Sequence, residues 1–265
     1  MDYKKICESV AQLARETGEK LKAYRKENEL VVETKGHNDF VTQMDKYSER
    51  LLVAGLEKIV PEAGFIAEES TRTDRGEIYN WVVDPIDGTT NFIHSMPPYA
   101  ISIGLMEGER IVVGVIYELS RCELFSAWTG GGAYLNGEPI HVSGAKTVGS
   151  ALVATGFPYN NFARMDGYMK SLYHFMTTSH GVRRLGSAAT DLAYTAAGRF
   201  DVFYEYDLKP YDVAAGSIIV EEAGGRVTDF RDGRDYIFGR EIVADNGALH
   251  DEFMTTIKES LVDKQ

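Results

Sequence analysis

The stretch Trp81-Val82-Val83-Asp84-Pro85-Ile86-Asp87-Gly88-Thr89-Thr90-Asn91-Phe92 places an apolar strand directly before two carboxylates, a glycine and two hydroxyls. Asp84 and Asp87 lie three residues apart, so both carboxylates can bind hard cations at the end of the strand. Gly88 lets the backbone turn closely, and the two threonines could open a helix whose free N–H groups bind a phosphate oxyanion. The alternative is a strand followed by an ordinary Asp-Gly turn. The complete pattern favours a metal and phosphate site.

Size and charge limit the classes of partner. The chain has 265 residues, of which 44% are hydrophobic, so it can bury a large core in one domain or in two closely packed halves. Its formal net charge of -12 argues against a nucleic acid or an anionic membrane as the main partner, because both reward basic patches. A small phosphorylated metabolite is compatible with this charge if metal ions neutralise the site.

Cysteine usage and the N-terminus predict a cytoplasmic protein. Cys7 and Cys122 are the only cysteines, and their separation fits neither a disulfide framework nor a zinc site. The six histidines show no zinc-ligand spacing either. The first residues contain no apolar signal segment, and no run of some 18 apolar residues suggests a membrane span.

The first half of the chain predicts two amphipathic helices followed by a β-rich region. The expected helices cover residues 4–26 and 42–59, with an extended stretch at Leu30-Val31-Val32 and a polar loop at 36–39 between them. The expected strands cover 65–67, the opening stretch, 99–106, 111–118 and 123–128, and Asn136-Gly137 predicts a hairpin.

The second half alternates between strands and helices. We expect strands at 151–154, 200–205, 226–229 and 241–244, and helices near 161–178, at 187–197, at 211–223 and at the C-terminus. This pattern predicts a mixed α/β (α+β) fold with sheets covered by helices. Residues 1–145 would form an N-terminal α+β half that carries most metal ligands, and residues 146–265 an α/β half that completes the site.

A multi-metal site needs further acids from elsewhere in the chain. Glu68 and Glu69 follow a short strand, as Asp84 does, although a solvated turn would explain them equally simply. Asp212 follows Pro210 at the start of a helix, and Asp45 lies in the first turn of another, where an acid also favours the helix dipole.

These blocks together resemble the inositol monophosphatase family, within the superfamily of magnesium-dependent, lithium-sensitive sugar-phosphate phosphatases. The resemblance covers nearly the whole chain and rests on Phe65-Ile66-Ala67-Glu68-Glu69-Ser70, Trp81–Phe92, Gly186-Ser187-Ala188-Ala189, Tyr211-Asp212-Val213-Ala214-Ala215-Gly216 and Glu222-Ala223-Gly224-Gly225. It implies a layered α-β-α-β-α sandwich with two sheets covered and separated by helices. Ala67 and Tyr211 depart from the usual glycine and tryptophan, and neither change removes a ligand.

The resemblance also implies the roles of individual residues. Two or three Mg²⁺ ions would be bound by Glu68, Asp84, Asp87, Asp212 and the main-chain carbonyl of Ile86. Asp84 would be shared between two metals, and the cation held by Glu68 would activate the attacking water. Thr89, paired with Asp45, would accept or orient a proton from that water.

Substrate contacts are implied in the same way. Main-chain N–H groups of Gly88 and Thr89 would bind the phosphate, while Asp87, Glu205, Gly186, Ser187 and Ala188 would line the pocket for ring hydroxyls. Lys35 aligns loosely with a lysine on the metal or phosphate side. Arg183 and Arg184 could approach the pocket or an interface, or could form a surface turn.

We therefore expect a magnesium-dependent phosphomonoesterase that hydrolyses inositol monophosphate or a related polyol or sugar phosphate by direct attack of water. Alternatives of the same fold are a fructose-1,6-bisphosphatase, a 3'(2'),5'-bisphosphate nucleotidase and a histidinol phosphatase. An inactive relative that binds a partner or senses a metabolite is an alternative of another class. The resemblance further suggests a homodimer, and the net charge predicts no nucleic acid or membrane partner.

Overall fold

The computed structural model describes residues 1–27, 32–36, 39–69, 72, 74–159 and 161–262. Within these ranges, the helices are α1 (Tyr3–Glu27), α2 (Gln43–Ile59), α3 (Thr89–Ile93), α4 (Met165–Thr178), α5 (Ala188–Ala196), α6 (Pro210–Glu222) and α7 (His250–Leu261). A short 3-10 turn covers Val148–Ser150.

The strands form three sheets. Their bounds are β1 (Val32–Gly36), β2 (Asp39–Thr42), β3 (Gly64–Ala67), β4 (Tyr79–Asp87), β5 (Ala100–Glu107), β6 (Arg110–Glu118), β7 (Glu123–Trp128), β8 (Gly132–Leu135), β9 (Glu138–Ile140), β10 (Leu152–Thr155), β11 (Gly181–Arg183), β12 (Val202–Tyr206), β13 (Arg226–Thr228) and β14 (Glu241–Asp245). The largest sheet has the order β3-β4-β5-β6-β7-β8-β9, the second has the order β11-β10-β12-β14-β13, and β1 pairs with β2.

The helices cover and separate the two large sheets. Helices α1 and α2 pack on one face of the seven-stranded sheet, and α5 and α6 lie between the sheets. Helices α4 and α7 pack together on the outer face of the five-stranded sheet. The layered α-β-α-β-α arrangement is therefore confirmed.

Strand β4 is buried on both faces, which explains its continuous apolar sequence. Val82 packs towards the layer of α5 and α6, whereas Trp81 and Val83 pack towards α1 and α2. This alternation follows from the two-residue period of a strand. The carboxyl end of β4 therefore emerges from the centre of the molecule, where groups from both layers can meet it.

Several sequence predictions need correction. Asp39 was expected in a polar loop but begins β2, which pairs with β1. The helix expected near 161–178 begins at Met165, and strand β11 was not predicted. Leu30, Val31, His37, Asn38 and Ser70 lie outside the described residues.

The division into residues 1–145 and 146–265 stays a prediction. Among the described residues, none of the helices is long and apolar enough to cross a membrane.

Candidate active site

Two parallel strands deliver acids to one place. In the register of β3 and β4, Ala67 pairs with Val83, so Glu68 follows one strand where Asp84 continues the other. The Glu68 N–H donates to the Val83 carbonyl at 3.2 Å, which continues the pairing beyond β3. The neighbouring strands β3 and β4 thus place Glu68 beside Asp84, as the sequence predicted.

The end of β4 is irregular in a way that turns its acids together. The pairing of β4 with β5 shifts between Asp84 and Asp87, which lie opposite Ser102 and Ala100. Three steps along β4 therefore face two along β5, as in a β-bulge. The Asp84 carboxylate accepts a 3.0 Å hydrogen bond from the Ile86 N–H, and this bond closes the turn.

Asp212 joins Asp84 and Asp87 from the other layer. Ligand oxygens of these three carboxylates lie within 4.8 Å of one another. Asp212 occupies the first turn of α6, where its carboxylate accepts a 2.6 Å hydrogen bond from the Lys209 N–H. Pro210 begins this helix and suits the position because it lacks an N–H.

Burial makes this cluster electrostatically costly. It raises the pKa of Asp212 to about 7, and the charge of Asp87 adds to the effect. Burial likewise raises the pKa of Asp87 to about 6, and that of Asp84 well above its usual value, with the nearby Glu68, Asp87 and Asp212 contributing. Buried carboxylates that repel one another are suitable ligands for divalent cations, and an all-oxygen donor set fits Mg²⁺.

Asp87 is held by the start of α5. One carboxylate oxygen of Asp87 accepts hydrogen bonds from the Ser187 hydroxyl at 2.6 Å and from the Ala189 N–H at 2.8 Å. Ser187 is also the N-cap of α5, since its hydroxyl accepts a 3.3 Å hydrogen bond from the Thr190 N–H. The predicted segment 186–188 is therefore attached directly to the predicted metal ligand.

Thr89 meets Asp45 although they lie 44 residues apart in the chain. The Thr89 hydroxyl lies 3.1 Å from one Asp45 carboxylate oxygen and 3.0 Å from the Ile86 carbonyl. The other Asp45 oxygen accepts hydrogen bonds from the N–H and hydroxyl of Thr42, at 2.7 and 2.6 Å, and so caps α2. Burial raises the pKa of Asp45, although these hydrogen bonds oppose the rise.

The turn after β4 has the predicted conformation. Gly88 has φ +88°, a value that favours glycine, and α3 begins at Thr89.

Asn91 was not singled out from the sequence. Its side-chain amide donates to the carbonyls of Pro98 and Leu185, both at 2.8 Å, and ties α3 to the segment before Gly186.

These groups line one cavity of about 420 Å³. The predicted residues that line it are Glu68, Asp84, Ile86, Asp87, Gly88, Thr89, Gly186, Ser187, Ala188, Glu205 and Asp212. Asp45 lies behind Thr89, and the side chain of Lys35 lies outside the described residues.

Two buried acids lie close to the cavity. Glu205 is on β12, and burial raises its pKa well above the usual value. A Cβ on Gly156 would lie 2.0 Å from its carboxyl group, so glycine is needed beside it. Asp191, on α5, was missed by the sequence analysis because its helical position carries no local signal. It is 1% exposed, and one of its oxygens has no hydrogen-bond partner among the described residues.

The two arginines differ in position. Both are exposed, but Arg183 ends the edge strand β11, whereas Arg184 lines the cavity. The two departures from the family pattern leave the ligands in place. Ala67 is buried in β3, and Tyr211 lines the cavity while its carbonyl accepts a 3.2 Å hydrogen bond from the Ser102 hydroxyl.

The chain is similar in sequence and structure to proteins of one family. A model of the inositol monophosphatase family matches residues 2–261. The Nus factor SuhB of Pseudomonas aeruginosa is 40% identical over 237 residues, which is 88% of each chain. The inositol-1-monophosphatase of Mesorhizobium japonicum is 39% identical over 233 residues, again 88% of each. The solved structure of inositol monophosphatase from Anabaena is 34% identical, covers 98% of both chains and has a TM-score of 0.88.

Proposed function

The chain belongs to the inositol monophosphatase family and is a phosphatase, and we propose that it hydrolyses inositol monophosphate or a related polyol or sugar phosphate with Mg²⁺ as its cofactor. The observation that carries this proposal is the meeting of three carboxylates, two buried and that of Asp212 half-buried, within 4.8 Å of one another in a cavity also lined by Glu68 and Thr89. These groups come from different layers of the fold, so only the folded chain assembles them.

Glu68, Asp84, Asp87, Asp212 and the Ile86 carbonyl would hold two or three Mg²⁺ ions. The raised pKa values of Asp84 and Asp212 support this set, because burial and neighbouring carboxylates raise both and a cation would offset that repulsion. When bound, Mg²⁺ supplies Lewis-acid chemistry that neutralises phosphate charge and lowers the pKa of water.

Thr89 and Asp45 would handle the proton of the attacking water. The Thr89 hydroxyl lines the cavity and has one hydrogen, which it can donate to either the Ile86 carbonyl or the Asp45 carboxylate. When that hydrogen points to Asp45, a lone pair of the hydroxyl can accept a proton from water. The raised pKa of the buried Asp45 carboxylate favours the final transfer to it.

The backbone at Gly88 and Thr89 would bind the phosphate. Both residues start α3, so their N–H groups have no partner within that helix. Asp87, Glu205, Gly186, Ser187 and Ala188 line the same cavity and would contact the hydroxyls of the substrate. Acceptor carboxylates in a concave pocket suit a polyhydroxylated molecule.

The fructose-1,6-bisphosphatase and bisphosphate nucleotidase alternatives use the same chemistry and differ in the group bound beyond the phosphate. The inactive binding relative is disfavoured because all the predicted ligands and the Thr89–Asp45 pair are present. A homodimer and a cytoplasmic location remain predictions.

Phosphate release by the purified protein tests the proposal. Inositol 1-phosphate, fructose 1,6-bisphosphate and adenosine 3',5'-bisphosphate would be compared with and without Mg²⁺. We expect Asp87→Asn to lower turnover by orders of magnitude, since it removes a carboxylate from the metal set. Asp251→Asn, an exposed change on α7, is the matched control. Absence of Mg²⁺-dependent phosphate release from every substrate would refute the enzyme assignment.

A further inference from the structure

One guanidinium group in the cavity lining has no carboxylate partner among the described residues. Arg184 follows β11 and lines the cavity together with Phe157 and Tyr159. It donates a 3.0 Å hydrogen bond to the Tyr159 hydroxyl, and its guanidinium carbon lies 5.3 Å from the centre of the Phe157 ring. No ion pair of Arg184 is found among the described residues, whereas Arg240 on the same cavity wall pairs with Asp207.

Local backbone structure places this guanidinium beside the expected substrate. A Cβ on Gly186 would lie 2.6 Å from one terminal nitrogen of Arg184, so the glycine leaves room for the arginine. Gly186 has φ +88°, and Asn91 fixes the preceding carbonyl of Leu185. The next residue, Ser187, binds Asp87. Arg184 therefore lies three residues before the serine that binds Asp87, in the same cavity as the acidic cluster of Asp84, Asp87 and Asp212.

The positive charge of Arg184 affects two buried acids. Burial raises the pKa values of Glu205 and Asp191 well above their usual values, and the charge of Arg184 partly lowers both. Neither acid forms an ion pair with Arg184 within the part of the chain that the structure describes. The guanidinium thus keeps donors available for a ligand that enters between Glu205 and the solvent.

We propose that Arg184, beside Phe157 and Tyr159, binds a second phosphate group, so that the enzyme also accepts bisphosphates and prefers a bisphosphate to the matching monophosphate. The inference rests on the proposed function, because the other phosphate would lie at Gly88 and Thr89. A guanidinium binds phosphate through paired N–H donors. The hydrogen bond to the Tyr159 hydroxyl and the contact with the Phe157 ring orient the Arg184 side chain. A cavity of about 420 Å³ lies in the size range of sites for small-molecule ligands.

Paired substrates test the subsite. The value of kcat/KM would be measured for fructose 1,6-bisphosphate against fructose 1-phosphate, and for adenosine 3',5'-bisphosphate against adenosine 3'-monophosphate. We expect the wild type to prefer the bisphosphate in at least one pair, which also identifies the sugar or nucleoside source. Arg184→Gln should lower kcat/KM for that bisphosphate by about 10- to 100-fold, mainly through KM, and leave the monophosphate unchanged.

Arg183→Gln is the matched control, because Arg183 is not among the residues that line the cavity and its guanidinium donates to the neighbouring Val182 carbonyl. Arg184→Lys should restore part of the preference because it keeps the charge. Equal kcat/KM for both members of each pair in the wild type would overturn the subsite. So would an equal loss on bisphosphate and monophosphate in Arg184→Gln.

Binding separates failure of the subsite from failure of the proposed function. Calorimetry with Mg²⁺ on the Asp45→Asn variant, where turnover should be slow, would measure affinity for each pair of ligands. Tighter binding of a bisphosphate that is lost on adding Arg184→Gln supports the subsite even if the wild type releases no phosphate. Phosphate release without any difference in these affinities retains the phosphatase and removes the subsite.

Discussion

Replacement of Ser187 by alanine should reduce catalysis and stability by separate routes. The Ser187 hydroxyl donates to Asp87 at 2.6 Å and accepts from the Thr190 N–H at 3.3 Å as the N-cap of α5. Ser187→Ala removes both of these hydrogen bonds, together with the 2.7 Å hydrogen bond between the Ser187 and Thr190 hydroxyls, while leaving the Ala189 N–H on Asp87. The variant therefore tests whether the orientation of Asp87 matters for activity.

The two expected effects differ in size and in readout. A hydrogen bond to a charged group contributes about 1.5–3 kcal/mol, so its loss in the transition state should lower kcat/KM by roughly 10- to 100-fold. Loss of the N-cap costs about 1 kcal/mol, which for a chain of this size is a decrease in Tm of about 2–4 °C.

The pH profile should move in a defined direction. Burial raises the pKa of Asp87 to about 6, and the hydrogen bond from Ser187 opposes that rise by favouring the charged carboxylate. Its removal should raise the pKa further. The acid limb of the profile of kcat/KM against pH should therefore shift to higher pH in Ser187→Ala.

Mg²⁺-dependent phosphate release at a series of pH values measures the first effect, and thermal unfolding measures the second. Ser187→Thr keeps a hydroxyl and should retain most activity. Ser187→Gly lacks the hydroxyl but is tolerated at an N-cap, so it should lose as much activity as Ser187→Ala with a smaller change in Tm. Wild-type kcat/KM and an unshifted acid limb in Ser187→Ala would refute the reasoning.

Three further changes test other groups. Thr89→Val removes the hydroxyl that contacts Asp45; kcat should fall by about 10²- to 10⁴-fold with little change in Tm, and near-normal kcat would exclude the proton role. Burial raises the pKa of Asp191, so the folded state binds its proton more tightly than the unfolded state and stability falls as pH rises. Asp191→Asn should therefore stabilise the metal-free protein against urea by roughly 1–3 kcal/mol at pH 8, with a smaller gain at acid pH; a gain independent of pH would contradict this. Burial lowers the pKa of His250, but the hydrogen bonds to Asp245 and Asp232 and the charge of Asp245 together outweigh it, so the net pKa is raised. The stabilisation is present below the unfolded pKa and lost as pH rises through the folded one, so His250→Gln should lower Tm more at about pH 6 than at pH 9, and an equal deficit would argue against it.

The centre of the site could be predicted from sequence because its signals are local. The residues from Trp81 to Phe92 combine an apolar strand, a turn glycine and hydroxyls at a helix start, and each feature agrees with the others. Placement of Glu68 followed from the rule that adjacent parallel strands end at the same edge. The pairing of Thr89 with Asp45 came from the family resemblance, since no local pattern joins these residues.

The remaining features depend on contacts between distant parts of the chain. Strand β11 is three residues long and forms because β10 pairs beside it, so its own sequence gave little indication. Asp39 reads as a loop residue until β1 supplies its partner strand. Asn91 contacts the Leu185 carbonyl only when α3 meets the segment before Gly186, and Asp191 becomes buried only when α5 packs between the sheets.

Because Asp212 lies on α6, it is synthesised much later than the other acids of the cluster. Glu68, Asp84 and Asp87 leave the exit tunnel long before Asp212, which lies 125 residues after Asp87 (212 minus 87). A nascent chain that has formed only its seven-stranded sheet would carry part of the acidic cluster and lack the residue that completes it. High-affinity metal uptake should therefore be a late event in biosynthesis, and it would selectively stabilise the completely folded molecule over truncated or half-folded forms.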